Sequence, residues 1–469
     1  MNRLSSVVSR NQARKLVLLP VELKNREFHA HVLLASHLVQ RGYRVVIGSH
    51  AAVFSYIRAM NANTLGGVYL DKSTQIHEVS KFISAGNTVM LILDQELSPI
   101  QNGLGVYAKR NVVKERLYKN TEEFIDGFFT VGPQISSIAK KVLPAHKVIE
   151  TGWPRFELLE HHAEAIYDSE IKGIQDKFGD FCLFVSSFSL LQSIDRCRTL
   201  EPIAKLGWIT DTFDEKWWQN QWVQLEKFID TLKEWRRLGF TQTIVIRPHL
   251  YEDLDSWKDL VKGISGVHVV KKGEINSWLF AASSVLHRGS TVSIQSALIN
   301  KPTYSLPECT SDEYAMSLDF SEAVHLSSPP PLVPIENSQI SKQSQKLKGL
   351  IKNLNSGSPC EDIAQFIETL DIPQTRRVHK RRIYLTYISN YKSIRRGLGL
   401  IKDEIRRVCK LDVGTTVTIA IPWGLRSTEA RRVLRKINSQ VSVDTRVNQI
   451  AINLIEFNPR THFLKKEVL

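Results

Sequence analysis

Short apolar runs separated by amphipathic stretches recur along most of this chain. Residues 15–19 and 43–47 are two such runs, with the length and β-branched content of buried strands. Between them, residues 27–40 place apolar side chains at helical spacing, and Gly42 follows as a helix terminator. The order strand, helix, strand predicts a parallel βαβ unit near the N-terminus.

The same alternation continues through about residue 370. It predicts further strands at 88–93, 127–131, 147–150, 181–185, 243–246, 267–270, 284–287 and 303–306. It also predicts a long Trp-rich helix at 216–238 and shorter helices at 292–299 and after Ser358, a capping residue followed by Pro359 and Glu361. Such alternation is typical of parallel sheets covered by helices on both faces.

The predicted fold class is therefore α/β, with two Rossmann-like, doubly wound domains in tandem. The predicted divisions are an N-terminal domain at 1–165, a second domain at 166–370 and a basic extension at 371–469. Two such domains with a cleft between them form the GT-B arrangement of glycosyltransferases, an expectation from fold analogy.

Composition narrows the class of protein. A chain of 469 residues with 42% hydrophobic and 23% charged residues is typical of soluble globular proteins of two or three domains. The first residues do not resemble a signal peptide, and no apolar run approaches the ~20 residues of a membrane span. Five scattered cysteines without a CxxC pair favour a reducing cytoplasm over a disulfide framework or zinc site.

The net charge of +14 is concentrated at the C-terminal end. From Arg376 onward there are 21 Lys and Arg against 7 Asp and Glu, so the rest of the chain is neutral. Residues 384–408 combine an apolar stripe at helical spacing with flanking arginines, a pattern that suits an anionic membrane surface. A helix packed back on the enzyme is the alternative. Nucleic-acid binding is a third interpretation, which no recognition motif supports.

The segment TIVIRPHLYEDLDSW, residues 243–257, ends a buried-type strand at an Arg-Pro-His turn. Pro248 cannot continue a strand ladder, so Arg247 and His249 are expected at the carboxyl end of the strand, where open α/β sheets bind ligands. A guanidinium and an imidazole there suit a phosphate. Alternatively, the two side chains cap a loop.

A second phosphate-type turn is predicted at the end of strand 284–287. Gly289, Ser290 and Thr291 precede a helix, whose free N–H groups together with the two hydroxyls form an anion site. The alternative is that Ser290 or Thr291 is a simple N-cap. Both turns follow strands of the same predicted sheet, which favours a shared ligand.

Five segments in sequential order resemble a known family. They are REFHAHVLLASHLVQRGYRVVIG, LILDQELS, TGWPRFELL, IVIRPHLYEDLDSW and HRGSTVSIQSALINKP. Over residues 14–370 the chain resembles bacterial surface carbohydrate biosynthesis proteins. These are GT-B-like relatives of capsule and lipopolysaccharide transferases that use CMP-activated sugars, including retaining β-Kdo transferases. The more distant resemblance is to CDP-glycerol transferases.

The resemblance implies roles for individual residues. It implies that Arg247, His249, Ser290 and Thr291 hold the nucleotide phosphate. Glu96 matches the family's nucleophilic carboxylate and Asp94 a partner acid or base, the alternative being two solvated loop acids. Arg26 would meet the carboxylate of an acidic sugar.

Other positions depart from the family pattern or are interpreted as structural. Leu97, Trp153, Leu250 and Gln295 replace residues common in the family, and Gln295 stands where a glutamate binds a sugar hydroxyl. Arg155 is interpreted as an inter-domain anchor, with a substrate contact as the alternative. The DLD at 253–255 opens a helix and is interpreted as a cap, so no metal and no cofactor are expected.

The expected function is a metal-independent glycosyltransferase of bacterial surface polysaccharide. Its partners would be a nucleotide-sugar donor, with a CMP-sugar favoured, and a glycan or lipid-linked acceptor. Its expected location is the cytoplasm, including the inner membrane surface. The alternatives are a CDP-polyol phosphotransferase and a non-catalytic, nucleotide-binding scaffold.

Overall fold

A computed structural model gives the arrangement of most of the chain. It describes residues 15–60, 66–73, 88–97, 113–114, 117, 122–188, 215–249, 252–288, 290–306, 322–323, 347, 349–354, 356–373, 427–438, 445–451 and 454–459. Two mainly parallel sheets, flanked by helices, account for these residues, and the predicted fold class of two Rossmann-like α/β sheets in tandem is confirmed.

The first sheet contains six parallel strands in the order β2-β1-β3-β4-β5-β6. Their bounds are β1 (Leu16–Val21), β2 (Arg44–Ser49), β3 (Val68–Asp71), β4 (Val89–Leu93), β5 (Gly127–Thr130) and β6 (Val148–Glu150). β2 and β3 pair with opposite edges of β1. The chain therefore changes winding direction at β1, which opens a crevice at the carboxyl ends of β1 and β3.

Helices connect and cover these strands. The bounds are α1 (Lys24–Gln40), α2 (His50–Met60), α3 (Pro133–Ala139), α4 (Pro154–Glu157) and α5 (Asp168–Phe178), with 3₁₀ turns at Glu122–Phe124, Ala145–Lys147 and His161–Ile166. α1 is buried over most of its length, as expected for a helix that packs between the sheet and other helices.

The second sheet has the order β12-β11-β10-β7-β8-β9, all parallel. Its strands are β7 (Phe181–Val185), β8 (Thr243–Arg247), β9 (Val267–Val269), β10 (Ser284–His287), β11 (Thr303–Ser305) and β12 (Glu322–Ala323). Its helices are α6 (Glu215–Arg237), α7 (Leu254–Leu260), α8 (Ile275–Ala281) and α9 (Val292–Leu298). The rings of Phe184 of β7 and Phe228 of α6 are stacked with their centres 4.0 Å apart, in a core rich in aromatic rings.

Two C-terminal segments pack on the first sheet. α10 (Pro359–Thr369) is capped by Ser358, whose hydroxyl accepts a 3.0 Å hydrogen bond from the Glu361 N–H, as the sequence predicts. Its apolar face, with Ile363 and Ile367, joins the core around α1. β14 (Leu454–Pro459) pairs antiparallel with β2, and β13 (Thr445–Ala451) pairs with β14.

The basic extension is described only in part. The stripe at 384–408 lies outside the described residues, so its membrane interpretation stays a prediction. None of the helices in the described part of the chain has the length and apolar composition needed to span a bilayer.

A C-terminal helix, α11 (Ser427–Asn438), forms ion pairs with two other helices, α1 and α5. Glu429 accepts from Lys24 at 2.6 Å and lies 3.4 Å from His29 Nε2. Arg432 pairs with Glu170 of α5 at 2.8 Å. Glu274, which precedes α8, completes a group in which ligand-type atoms of His29, Glu274 and Glu429 lie within 4.8 Å of one another.

Groups of opposite charge face one another in this cluster. Burial disfavours protonated His29, but the carboxylates of Glu274 and Glu429 outweigh that effect and raise its pKa. Lys24 and His29 thus both face Glu429, while burial raises the pKa of Glu274 beside them. We interpret the group as an ionic latch between the first sheet, the second sheet and α11.

We expect the latch to weaken as the pH rises through the raised pKa of His29. The stabilisation from protonated His29 is fully present below its unfolded pKa of about 6.5 and is lost above the folded pKa. Glu429→Gln should therefore reduce the free energy of unfolding more at pH 6 than at pH 8. Urea denaturation at both pH values measures this difference.

Glu234→Gln is the matched control, because Glu234 pairs with Arg237 on the exposed face of α6. A loss in Glu429→Gln that is the same at both pH values would contradict the role of His29.

Candidate functional site

Glu96 lies at the carboxyl end of the first sheet, in the turn that follows β4. Its carboxylate pairs with Arg26, and its Oε1 is 3.2 Å from Lys72 Nζ. Lys72 directly follows β3 and also pairs with Glu22, which follows β1. Three neighbouring strand ends therefore contribute to one cluster of charges, and Glu96 remains partly exposed (23%).

Asp94 shapes the turn that presents Glu96. Its Oδ1 accepts a 2.9 Å hydrogen bond from the Glu96 N–H, and its carbonyl accepts from Leu97. The Asp94 side chain is buried, whereas that of Glu96 reaches the cations. The two acids, which are two residues apart in the sequence, therefore differ in exposure. Glu96 is partly exposed and Asp94 lies beneath it.

Arg26 and Glu27 occupy the first turn of α1. Glu27 Oε2 accepts hydrogen bonds from the N–H groups of Glu22 (2.7 Å) and Leu23 (3.3 Å), so it caps the helix. Burial disfavours the charged forms of Arg26 and Lys72, but the surrounding carboxylates, Glu96 foremost, raise the pKa of both. Both cations stay charged at neutral pH.

Arg155 is buried close to this cluster. Its backbone N–H donates to Gln95 Oε1 at 2.9 Å. Its guanidinium carbon lies 4.7 Å from the ring centre of Trp153 and 5.2 Å from that of Phe156. Burial and the nearby charge of Arg26 lower its pKa to about 9. The backbone hydrogen bond to Gln95 joins the β4 turn to α4, and the interpretation of Arg155 as an inter-domain anchor stays a prediction.

The Arg-Pro-His turn ends β8, as the sequence predicts, but Arg247 turns away from the cleft. Its Nη1 donates to the Lys272 carbonyl at 2.6 Å and its Nη2 to the Gly273 carbonyl at 2.9 Å. The guanidinium lies 5.0 Å from the Trp278 ring centre, and burial lowers its pKa to about 10. These contacts favour the loop-cap alternative for Arg247.

His249 lies on the side of the second sheet that faces the acidic cluster. Burial and the charge of Arg26 lower its pKa to about 4, while Glu96 opposes this change. The influence of both charges on this pKa indicates that His249 lies near the charge cluster at the end of the first sheet. Its imidazole is neutral at pH 7, and therefore suited to accept or donate a hydrogen bond.

Buried Glu252 holds the backbone of this turn. Its carboxylate accepts from the His249 N–H (3.0 Å), the Trp257 Nε1–H (2.7 Å) and the Ser186 hydroxyl (2.9 Å). The next acid, Asp253, caps α7 by accepting from the Ser256 N–H at 2.8 Å. The interpretation of the DLD as a cap is confirmed for Asp253.

The Ser-Thr turn is described apart from Gly289, which lies outside the described residues. Ser290 Oγ accepts from the Val292 N–H at 3.3 Å, and the Ser290 carbonyl accepts from Ser293. Ser290 therefore accepts from the first N–H of α9, and Thr291, the N-cap residue, makes no side-chain capping bond and is partly buried. Their phosphate-binding roles stay predictions.

Gln295 is buried on α9 and points towards the interface between the domains. Its Nε2 lies 3.5 Å from Asn276 Oδ1, and Asn276 donates to the Tyr167 hydroxyl at 3.1 Å. The hydroxyl-binding role implied for Gln295 stays a prediction.

Sequence reasoning missed two residues of this site. Lys72 follows a strand, β3, that the apolar pattern did not single out, and Glu252 is one acid among three in the YEDLD segment. Two charged residues, Asp71 and Lys72, directly after a short apolar run are a signal that could have identified Lys72. The partner of Glu252, the Trp257 indole, lies on the next helix and could not be inferred.

No protein-family model matches the sequence, and a comparison with curated proteins finds no match. Among solved structures, a UDP-N-acetylglucosamine 2-epimerase aligns with a TM-score of 0.46 and 10% identity over 78% of this chain and 99% of its own. The wall teichoic acid polymerase TagF aligns with a TM-score of 0.44 and 10% identity over 76% and 89%. The UDP-GlcNAc 2-epimerase of Neisseria meningitidis, bound to UDP-GlcNAc, gives 0.40 and 12% over 76% and 98%.

We expect Arg247→Gln to destabilise the protein without a ligand. The substitution removes charge-assisted hydrogen bonds to two carbonyl groups, each worth about 1.5–3 kcal/mol, and contact with Trp278. Urea denaturation should show a loss of about 2 kcal/mol or more. Arg237→Gln, which removes an exposed arginine, is the control. Unchanged stability together with weakened nucleotide binding would instead support a phosphate contact.

Proposed function

We propose that this protein is a glycosyltransferase that acts on a nucleotide-activated sugar in the synthesis of a bacterial surface polysaccharide. One observation carries the proposal. His249 follows a strand of the second sheet and Glu96 follows a strand of the first, and the charges of Arg26 and Glu96 act on the pKa of His249. Facing strand ends of two Rossmann-like sheets then form a single cleft for a donor and an acceptor.

In this proposal the second sheet binds the nucleotide and the first performs the chemistry. Neutral His249 donates a hydrogen bond to a donor phosphate, and the turn at Ser290 and Thr291 supplies further donors. Glu252 fixes the backbone of the Arg-Pro-His turn, so His249 keeps its position in the absence of ligand. Arg247 supports the same turn from behind.

Glu96 is the nucleophile in this proposal. Its carboxylate attacks the anomeric carbon, and the bond to the nucleotide phosphate breaks with its electron pair. Arg26 and Lys72 keep Glu96 ionised and stabilise the negative charge of the departing phosphate. The buried Asp94 holds the turn rather than touching the sugar.

The resemblance of the five sequence segments supports a CMP-linked sugar as the donor and a glycan or lipid-linked acceptor. The basic segment at 384–408 supports attachment to an anionic inner-membrane surface.

A CDP-polyol phosphotransferase is the second candidate. The observation that favours it is the engagement of Glu96 by two cations, because a carboxylate in two ion pairs is a weakened nucleophile. Attack at phosphorus needs phosphate clamps and a general base but no carboxylate nucleophile, and Arg26 and Lys72 would then serve as clamps.

Nucleotide binding tests the donor site. Titration with CMP, CDP, UDP and GDP, followed by calorimetry, should show binding, most tightly for a cytidine nucleotide. His249→Ala should weaken it about tenfold or more, since a charge-assisted hydrogen bond is worth about 1.5–3 kcal/mol. The melting temperature without nucleotide should hardly change. A destabilised variant with unchanged affinity for every nucleotide would assign His249 to structure.

Intact-protein mass spectrometry separates the two candidates. After incubation with CMP-Kdo without an acceptor, a glycosyltransferase with a nucleophilic Glu96 should gain the mass of the sugar, and Glu96→Gln should not. Asp253→Asn is the control, because this acid caps α7 and belongs to the second sheet's domain. Turnover of CDP-glycerol without any adduct on Glu96 would favour the phosphotransferase.

A further inference from the structure

A histidine and an aspartate form a dyad beside the acidic cluster, at the crevice of the first sheet. His50 is the first residue after β2, and Asp71 is the last residue of β3. The two strands flank β1, so the imidazole crosses the end of β1 to reach the carboxylate. His50 Nε2 lies 3.0 Å from Asp71 Oδ1.

Asp71 is ionised, and both of its carboxylate oxygens accept hydrogen bonds. In addition to His50, the Lys72 N–H donates to Oδ1 at 2.7 Å and the Tyr69 hydroxyl to Oδ2 at 2.8 Å. Burial alone would raise its pKa, but His50 and these donors lower it below the usual value. An ionised carboxylate can only accept, so Nε2 of His50 carries the proton and the lone pair of the neutral ring is on Nδ1.

The dyad is part of the same crevice as Glu96. Lys72, the residue after Asp71, pairs with both Glu96 and Glu22. The His50 side chain is partly exposed (24%), whereas Asp71 is buried beneath it. An imidazole at the surface, oriented by a buried carboxylate, is the arrangement that activates a hydroxyl in acid–base catalysis.

The charged groups around His50 favour its protonated form and so raise its pKa. Burial opposes protonation, but Asp71 and the carboxylates of Glu27 and Glu22 outweigh it and raise the pKa of His50. The neighbouring ring of His31 on α1 is buried, which lowers its pKa to about 4 and keeps it neutral.

The other described groups of the cleft are poorer bases. Glu96 is bound by two cations, and His249 has a pKa of about 4. Proton transfer is most efficient when the pKa of the base lies near the working pH, which favours His50 over His249.

We propose that His50, positioned by Asp71, is the general base that activates the acceptor hydroxyl. The hydroxyl proton passes to Nδ1 while the oxygen forms a bond to the electrophilic centre. The bond from that centre to its leaving group breaks, and the electron pair departs with the nucleotide phosphate or with Glu96. The inference rests on the proposed function and specifies its acceptor side: a hydroxyl placed over the ends of β1 and β3.

Rates of nucleotide release test the proposal with defined probes. CMP-Kdo and CDP-glycerol are each incubated with the full-length protein and glycerol as the hydroxyl acceptor. His50→Gln should lower the rate about 10²- to 10⁴-fold, while the dissociation constant for CMP changes less than about twofold. His146→Gln, an exposed histidine in the 3₁₀ turn after α3, is the matched control and should leave both values unchanged.

The pH profile separates a base from a structural residue. The rate should fall below the pKa of His50, and Asp71→Asn should move this acidic limb to lower pH, because the variant lacks the charge that raises the pKa. Histidine ¹⁵N NMR should show the Nε2–H tautomer of His50 in the wild type and a lower pKa in Asp71→Asn.

Three results would overturn the inference. They are turnover by His50→Gln at the wild-type rate, an acidic limb that Asp71→Asn does not move, and an Nδ1–H tautomer of His50. Absence of turnover by the wild type with both donors, or of nucleotide binding, would instead contradict the proposed function, and the inference would fall with it.

Discussion

Burial of charge at the strand ends is the constraint on which this molecule depends. A charged side chain removed from water needs an opposite charge or several hydrogen bonds. Arg247 meets this requirement with two carbonyl groups, Glu252 with three donors, and Glu96 with Arg26 and Lys72. These pairings also fix the turns in space, so the geometry of the cleft exists before a ligand arrives.

The pairings divide the polar groups into two kinds. Arg247, Glu252 and Asp94 are committed to holding turns, which explains why they are buried. Glu96, His249 and His50 remain partly exposed, and each is held by a buried acid: Asp94, Glu252 and Asp71 respectively. Chemistry is assigned to this second kind because a side chain must reach the substrate to act on it, and because a rigid support keeps it in position.

The sequence predicted most strands within two residues, since buried parallel strands have an apolar composition that tertiary contacts do not change. It also located Glu96 and His249 at strand ends. The direction of Arg247 was not predictable, because the Lys272 and Gly273 carbonyls come from a loop 25 residues away. The pairing of β14 with β2 and the dyad of His50 and Asp71 likewise depend on long-range packing, which local patterns do not encode.

The central claim is that the ends of the two sheets form one site, and the pKa of His249 tests it most directly. Histidine ¹⁵N NMR of the ligand-free protein can follow this pKa in the wild type, Arg26→Gln and Glu96→Gln. The account predicts that the pKa rises when the positive charge of Arg26 is removed and falls when the negative charge of Glu96 is removed. A pKa of His249 that is the same in all three proteins would show that the two clusters do not share a cleft.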